Sequence, residues 1–217
     1  IYATPMSSES ILIIDTTCPD SCADKVTFGD CIITGCLTPT AAPIDSSTKD
    51  LEPFPFFNMY SGGSLASNNA IYADVVKGSD TIRIYNVHLQ SSRIDANVEN
   101  LDSEKSEQLL KSLKKTFAMQ QSQAELFIVH KSKSPYKVIV AGDFNNTAYS
   151  YVYNEIRGNL KDAFEEAGNG FGRTFSFKYF PVRIDFILVD NTFEVNNFKT
   201  FEVPYSDHFP ILARLKN

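Results

Sequence analysis

The 217-residue chain has no tryptophan. None of its apolar runs approaches the ~20 residues that a membrane-crossing helix requires. It also lacks an excess of positive charge: 20 Lys and Arg stand against 26 Asp and Glu, a formal charge of −6. No basic stripe therefore marks it as a nucleic-acid binder, although a local patch inside such a total is compatible with one. The acidity is uneven. Residues 1–57 hold only Lys25 and Lys49 against eight acids, which accounts for the whole excess, while the other 18 basic and 18 acidic residues cancel. There is no basic, apolar, small-residue leader pattern and no initiator Met, so the chain reads as a processed form or as part of a longer one. What remains is ordinary for a soluble globular protein: 43% hydrophobic and 21% charged residues, with enough length to bury a sizeable core. A monomer is expected, and the compartment is left open.

Cysteine is sparse and confined. Cys18, Cys22, Cys31 and Cys36 fall in one short stretch with the spacing C-x3-C-x8-C-x4-C. Two disulfides in any of three connectivities, a zinc site, or four free thiols fit that spacing. The intervals lack the usual C-x2-C knuckle, and free thiols are the preferred reading.

The chain has two compositional halves. In residues 1–57, rich in Thr, Ser, Pro, Asp and Cys, only ILII (11–14) and CIIT (31–34) read as strands. The stretch from Pro39 to Pro55 reads as loop. From Asn69 onward the pattern is regular. IYADVV (71–76) and TIRIYNV (81–87), separated by Lys-Gly-Ser-Asp, predict a hairpin. Between about 103 and 131, Leu109, Leu110, Leu113, Phe117, Ala124, Phe127 and Ile128 recur at helical spacing, with Lys, Glu and Gln on the other face. KVIVA (137–141) predicts a strand buried on both faces. Residues 151–167 suggest one short helix. Strands are predicted again at RTFSF (173–177), RIDFILV (183–189), the stretch 194–203 with a bend, and ILARL (211–215). Buried strands alternating with helices imply a layered α/β sandwich.

Polar residues gather where these strands end. TIRIYNVHL closes on Asn86 and His88, and VIVAGDFN on Asp143 and Asn145. Positions i and i+2 of an extended chain point the same way, so each pair shares a side as long as the strand geometry persists. RIDFILV carries Asp185 inside an apolar strand, and VPYSDHFPI places Asp207 and His208 just before the last one. Each has a plain alternative: a turn residue, a satisfied core histidine, an Asp185–Arg183 surface pair. Together they argue for one convergent site, because buried carboxylates are costly unless paired or metal-bound. His130 reads differently, as a solvated cation at a helix C-terminus.

The motifs NVHL, GDFN, RIDFIL and SDHFPI, in this order, resemble the endonuclease/exonuclease/phosphatase superfamily over residues 67–216. That is the fold of deoxyribonuclease I, exonuclease III-type apurinic endonucleases, neutral sphingomyelinases and inositol polyphosphate 5-phosphatases. The resemblance implies a single domain over 1–217, a four-layer α/β sandwich of two mixed β-sheets flanked by helices. It implies phosphoester hydrolysis dependent on Mg²⁺, with Mn²⁺ as a substitute, on a nucleic acid, a phospholipid or a small phosphate compound. In that scheme His208, oriented by Asp185, meets the phosphate. Asp207 ligates the metal, Asp143 positions or deprotonates the attacking water, and Asn145 and Asn86 hold phosphate. His88 donates to a phosphoryl oxygen or assists the leaving group.

The N-terminal part departs from the family pattern, which opens with an Asn-bearing strand and then a strand ending in Gln-Glu, the Glu being the main metal ligand. Its closest echo is SESILIIDTT, with Asp15 where that Glu would fall and FGDCIITG (28–35) as the next strand. The missing first strand implies an exposed sheet edge. Two further readings follow: a diverged or truncated member that binds phosphate without efficient turnover, and an interaction module in which residues 1–57 dock a partner.

Overall fold

A computed structural model describes residues 10–15, 24–28, 31–35, 48–54, 68–77, 79–92, 103–203 and 206–216, the first four strands by their backbone path. β1 (Ser10–Asp15), β2 (Asp24–Phe28) and β3 (Cys31–Gly35) join β10 (Glu194–Thr200) and β11 (Ile211–Lys216) in a five-stranded sheet, ordered β10-β11-β1-β2-β3. β4 (Thr48–Phe54), β5 (Asn69–Lys77), β6 (Asp80–His88), β7 (Lys137–Asp143), β8 (Lys161–Asp162) and β9 (Asp185–Val189) form a six-stranded sheet, ordered β4-β5-β6-β7-β9-β8. β5 and β6 are the expected hairpin. β7 runs parallel to β6 because the long helix α1 (Ser103–Lys131) carries the chain back between them. α2 (Tyr151–Arg157) and α3 (Ala163–Ala167) follow β7.

Strand alternation sorts the six-stranded sheet into two apolar faces. Ile82, Ile84, Ile139, Ala141, Ile187 and Val189 pack against Phe198, Ile211, Ala213 and Leu215 of the other sheet. Tyr85, Val87, Val140, Phe186 and Leu188 point the opposite way, onto Ala124 and Phe127 of α1 and Val152, Tyr153 and Ile156 of α2. The result is the expected α/β sandwich, two sheets face to face with helices against the outer face of the larger one. α3 packs into the inter-sheet core beside β10.

Several elements differ from expectation, each for a local reason. The stretch 39–55 contains β4, whose Pro53 is tolerated because β4 is an edge strand. β2, read as non-regular, is a strand between β1 and β3. β1 is flanked on both sides, by β11 and β2, so it leaves no open edge. The 151–167 stretch is two helices, broken where Gly158 takes φ +50° and caps α2. RTFSF is not a strand: Phe175 makes isolated bridges to Val182 and His208 instead. The buried stripe of α1 includes Thr116, Gln120 and Gln123 alongside Ala124 and Phe127, whereas Leu110 and Phe117 are exposed. Cys18, Cys22 and Cys36 lie outside the described residues, and Cys31 is placed only by backbone. Among the described residues, no helix is long and apolar enough to cross a membrane.

Candidate active site

The inter-sheet face that is apolar through Ile82, Ile84, Ile139, Ala141, Ile187 and Val189 turns polar at one end. Continuing the same two-residue period adds Asn86 and His88 on β6, Asp143 on β7 and Asp185 on β9. The registers place them side by side: His88 faces Asp143, and Asp143 faces Asp185. β6 and β7 are parallel and therefore end together, which is why two strand tips far apart in sequence meet.

Asp143 is the centre of this group. Its Oδ1 accepts from the Asn145 backbone N–H at 2.7 Å, which fixes the carboxylate. Its Oδ2 faces two imidazoles, 3.7 Å from His88 Nε2 and 4.0 Å from His208 Nε2. Both gaps exceed a hydrogen bond and suit an intervening water or ligand oxygen. His208 is held from behind, its Nδ1 lying 3.2 Å from Asp185 Oδ1 and 3.1 Å from Oδ2. Asp185 is fully buried and His208 packs edge-on against Phe175. The carboxylate fixes the Nδ1 proton, leaving Nε2 to face Asp143.

Burial by itself would hold the His208 imidazole neutral. The hydrogen bond His208 donates to Asp185 and the charges of Asp185, Asp143 and Asp207 outweigh it and push the pKa up from 6.5 to about 9. His208 is therefore an imidazolium at neutral pH. The folded state binds this proton more tightly than the unfolded chain, so the stabilisation is fully present below pH 6.5 and is lost as pH rises through about 9. In divalent-free buffer, the unfolding free energy from denaturant titration is expected to fall over that window, by at most about 3 kcal/mol. An unchanged stability between pH 6.5 and 9 that becomes pH-dependent only in His208→Ala would contradict the pairing.

The other residues singled out in the sequence fall as follows. Asn86 is buried on the same face, and its Nδ2 has no hydrogen-bond partner among the described residues. Asn145 does not stay on Asp143's side: the strand ends at Asp143, Asn145 takes φ +48°, and its Nδ2 donates to Leu89 O at 2.9 Å. Asp207 is exposed, accepts from Ser206 Oγ at 3.3 Å, and reaches the group through its charge on His208. Asp15 is the last residue of β1, one past the Ile14–Ile211 pair with β11 and opposite Lys25 of β2. Arg183 pairs with Asp162 at 2.6 Å, leaving Asp185 to His208. His130 is not simply solvated: it lies 3.0 Å from Tyr85 Oη, and burial lowers its pKa. Of the aromatics near the motifs, Tyr85 and Phe144 are core, while Tyr149, Tyr179 and Phe180 are exposed.

Thr174 carries no signal that the sequence alone reveals. This fully buried hydroxyl accepts from the N–H groups of Ile184 and Asp185 at 3.0 and 3.1 Å, holding the start of β9. An RTF stretch read as plain strand hides such a role.

The donor set is compatible with a divalent cation. Carboxylate oxygens of Asp143 and Asp185 lie within 4.8 Å of one another and of a His208 ring nitrogen, and because His208 is protonated the oxygens are the available ligand atoms. Two nearly buried carboxylates share one imidazolium, with Asp207 adding a third negative charge, so further positive charge is needed for balance. With Asp185 engaging His208 and Asp143 turned toward both imidazoles, the exposed carboxylate of Asp207 is the one left to meet a hard ion.

The model of the Endonuclease/Exonuclease/phosphatase family matches residues 40–208. The chain belongs to this family. Enzymes of the endonuclease/exonuclease/phosphatase family hydrolyse phosphoesters and generally use divalent metals. Solved structures agree on the fold. A functionally unknown conserved protein from Enterococcus faecalis superposes with a TM-score of 0.57 at 16% identity, covering 79% of this chain and 68% of that one. A mannosyl-6-phosphatase from Bacteroides thetaiotaomicron gives 0.53 at 16% identity, covering 97% and 78%. TDP2 from D. rerio, complexed with a single-strand DNA product, gives 0.53 at 16%, covering 80% and 70%. No curated protein sequence matched.

Proposed function

We propose that this protein is a Mg²⁺-dependent hydrolase of phosphoesters, a phosphodiesterase, phosphatase or nuclease acting through an activated water. The observation that carries this reading is the convergence of His88 Nε2 and His208 Nε2 on Asp143 Oδ2, at 3.7 and 4.0 Å. Asp143 Oδ2 is placed to accept a proton from an attacking water. The His208 imidazolium, held by Asp185, donates to a non-bridging phosphoryl oxygen, and His88 donates to a second oxygen or to the leaving group. Asn86 Nδ2, which has no partner among the described residues, supplies a further donor to phosphate. Asn145 shapes the loop through Asp143 and Leu89 rather than reaching in. Asp207 and Asp15 would hold Mg²⁺, with Mn²⁺ able to replace it. When bound it would neutralise charge on the phosphoryl and leaving oxygens.

Asp15 also motivates the alternative, a member that binds phosphate with poor turnover, since its carboxylate is one methylene shorter than the family's Glu. One experiment separates the two. Hydrolysis is assayed on bis(p-nitrophenyl) phosphate, nicked and abasic duplexes, single-stranded DNA, a hexose phosphate and a phospholipid, in Mg²⁺ and in chelator. Turnover of at least one substrate that chelator abolishes is expected. No turnover of any, with millimolar Mg²⁺ bound, would favour the alternative.

A further inference from the structure

The two loops that leave β6 and β7 are tied to each other by side chains of α1. Gln120 is fully buried on α1, and its Nε2 donates to Gln90 O at 2.7 Å and to Asn145 O at 3.1 Å. One side-chain amide thus spends both hydrogens on two different loops, one entered two residues after His88, the other two residues after Asp143. The orientation of the amide is not arbitrary. Thr147 N–H donates to Asn146 Oδ1, which turns Asn146 Nδ2 toward Gln120 Oε1 at 2.8 Å, and that leaves Gln120 Nε2 for the two carbonyls. Gln123, one turn on and almost fully buried, acts in the opposite sense: its Oε1 accepts from Gln90 N–H at 2.9 Å. Helix α1 therefore grips the β6 loop by donor and acceptor and the β7 loop by the same donor.

We infer that Gln120 is a positioning residue for the site, setting the separation of His88 from Asp143, and that Gln123 secures the same loop from the other side. This rests on the phosphoester reading above. Neither glutamine touches the reacting atoms. Their effect passes through backbone carbonyls and one N–H, and a gap of 3.7 Å between His88 and Asp143 is sensitive to small loop shifts. Chemistry makes the two positions unequal. Glutamate at 120 would aim a carboxylate at two carbonyl oxygens, whereas glutamate at 123 keeps the acceptor that Gln90 needs.

The test compares Gln120→Met, Gln120→Glu and Gln123→Glu. With bis(p-nitrophenyl) phosphate and Mg²⁺, Gln120→Met and Gln120→Glu are expected to lose about 30-fold or more in kcat with KM within about threefold. Gln123→Glu is expected to stay within about fivefold of wild type. A second arm needs no activity: the chain has three histidines, and in side-chain NMR spectra Gln120→Met is expected to shift the His88 and His208 ring signals and leave those of His130 in place. If the wild type turns nothing over, the proposed function fails while this arm still decides the positioning role. Should Gln120→Met not fold, Gln123→Met takes its place, with the same signals expected to move. Equal effects of glutamate at 120 and 123, or unmoved His88 signals, would overturn the inference.

Discussion

Asp185→Asn is expected to lower kcat by about 1,000- to 10,000-fold while the protein stays folded. Asparagine keeps the shape of the buried carboxylate but not its charge. The site would then be left with a fully buried neutral amide opposite His208 Nδ1, where two carboxylate oxygens now sit at 3.1 and 3.2 Å. Asp185 is the leading source of the upward shift of His208 to about 9. Without it, burial is opposed only by the charges of Asp143 and Asp207, so the pKa is expected to fall and less of the imidazole to carry the proton it would give a phosphoryl oxygen. The backbone side of the site is untouched, since Thr174 still accepts from the N–H groups of residues 184 and 185. Steady-state kinetics and an NMR titration of His208 check the two halves together. A loss of less than about tenfold, or a His208 pKa still near 9, would show that Asp185 does not charge the imidazole.

Gly142→Ala is expected to be the most destabilising single substitution along β7. Gly142 sits at φ +137°, a conformation alanine rarely adopts, and an added Cβ would lie 2.0 Å from Val87 O and 2.8 Å from Val87 N. These are backbone atoms of the neighbouring strand, directly opposite in register, so no rotamer change relieves the clash. β7 lies between β6 and β9 inside the sheet and has nowhere to retreat. A loss of about 4 kcal/mol or more is expected, a fall in Tm of roughly 10 °C or beyond for a chain of this size. The next pair in that register is His88 and Asp143, so any accommodation that did occur would also spread the site. Thermal melts of the purified variant decide the matter, and a Tm within about 3 °C of wild type would mean that the two strands approach less closely than described.

What the sequence made legible was set by period and burial. The apolar runs 71–76, 81–87, 137–141 and 211–215 each became a strand because an extended chain with alternating apolar residues has little else to do between two layers. The same period told which polar residues share a face, and Asn86, His88, Asp143 and Asp185 do. It failed at Asn145 because the period ends with the strand, and a residue at φ +48° no longer obeys it. The other misses have one cause in common, polar residues whose burial depends on partners distant in sequence. Gln120 and Gln123 look like solvent-facing helix residues until two loop carbonyls and an N–H arrive to pair with them. Thr174 looks like a strand residue until the start of β9 lies against its hydroxyl. β4 escaped notice for the reverse reason, since an edge strand tolerates the proline and charges that a central strand would reject.

The central claim is that side chains from β6, β7 and β9 and the loop before β11 act on one phosphoester. It is tested most directly by measuring Mg²⁺-dependent hydrolysis of bis(p-nitrophenyl) phosphate by the wild type, Asp143→Asn and His208→Ala under one set of conditions. Both substitutions are expected to bring turnover down to the chelator-treated background. Turnover that survives both at wild-type levels would contradict the account, because the chemistry would then lie elsewhere on the molecule.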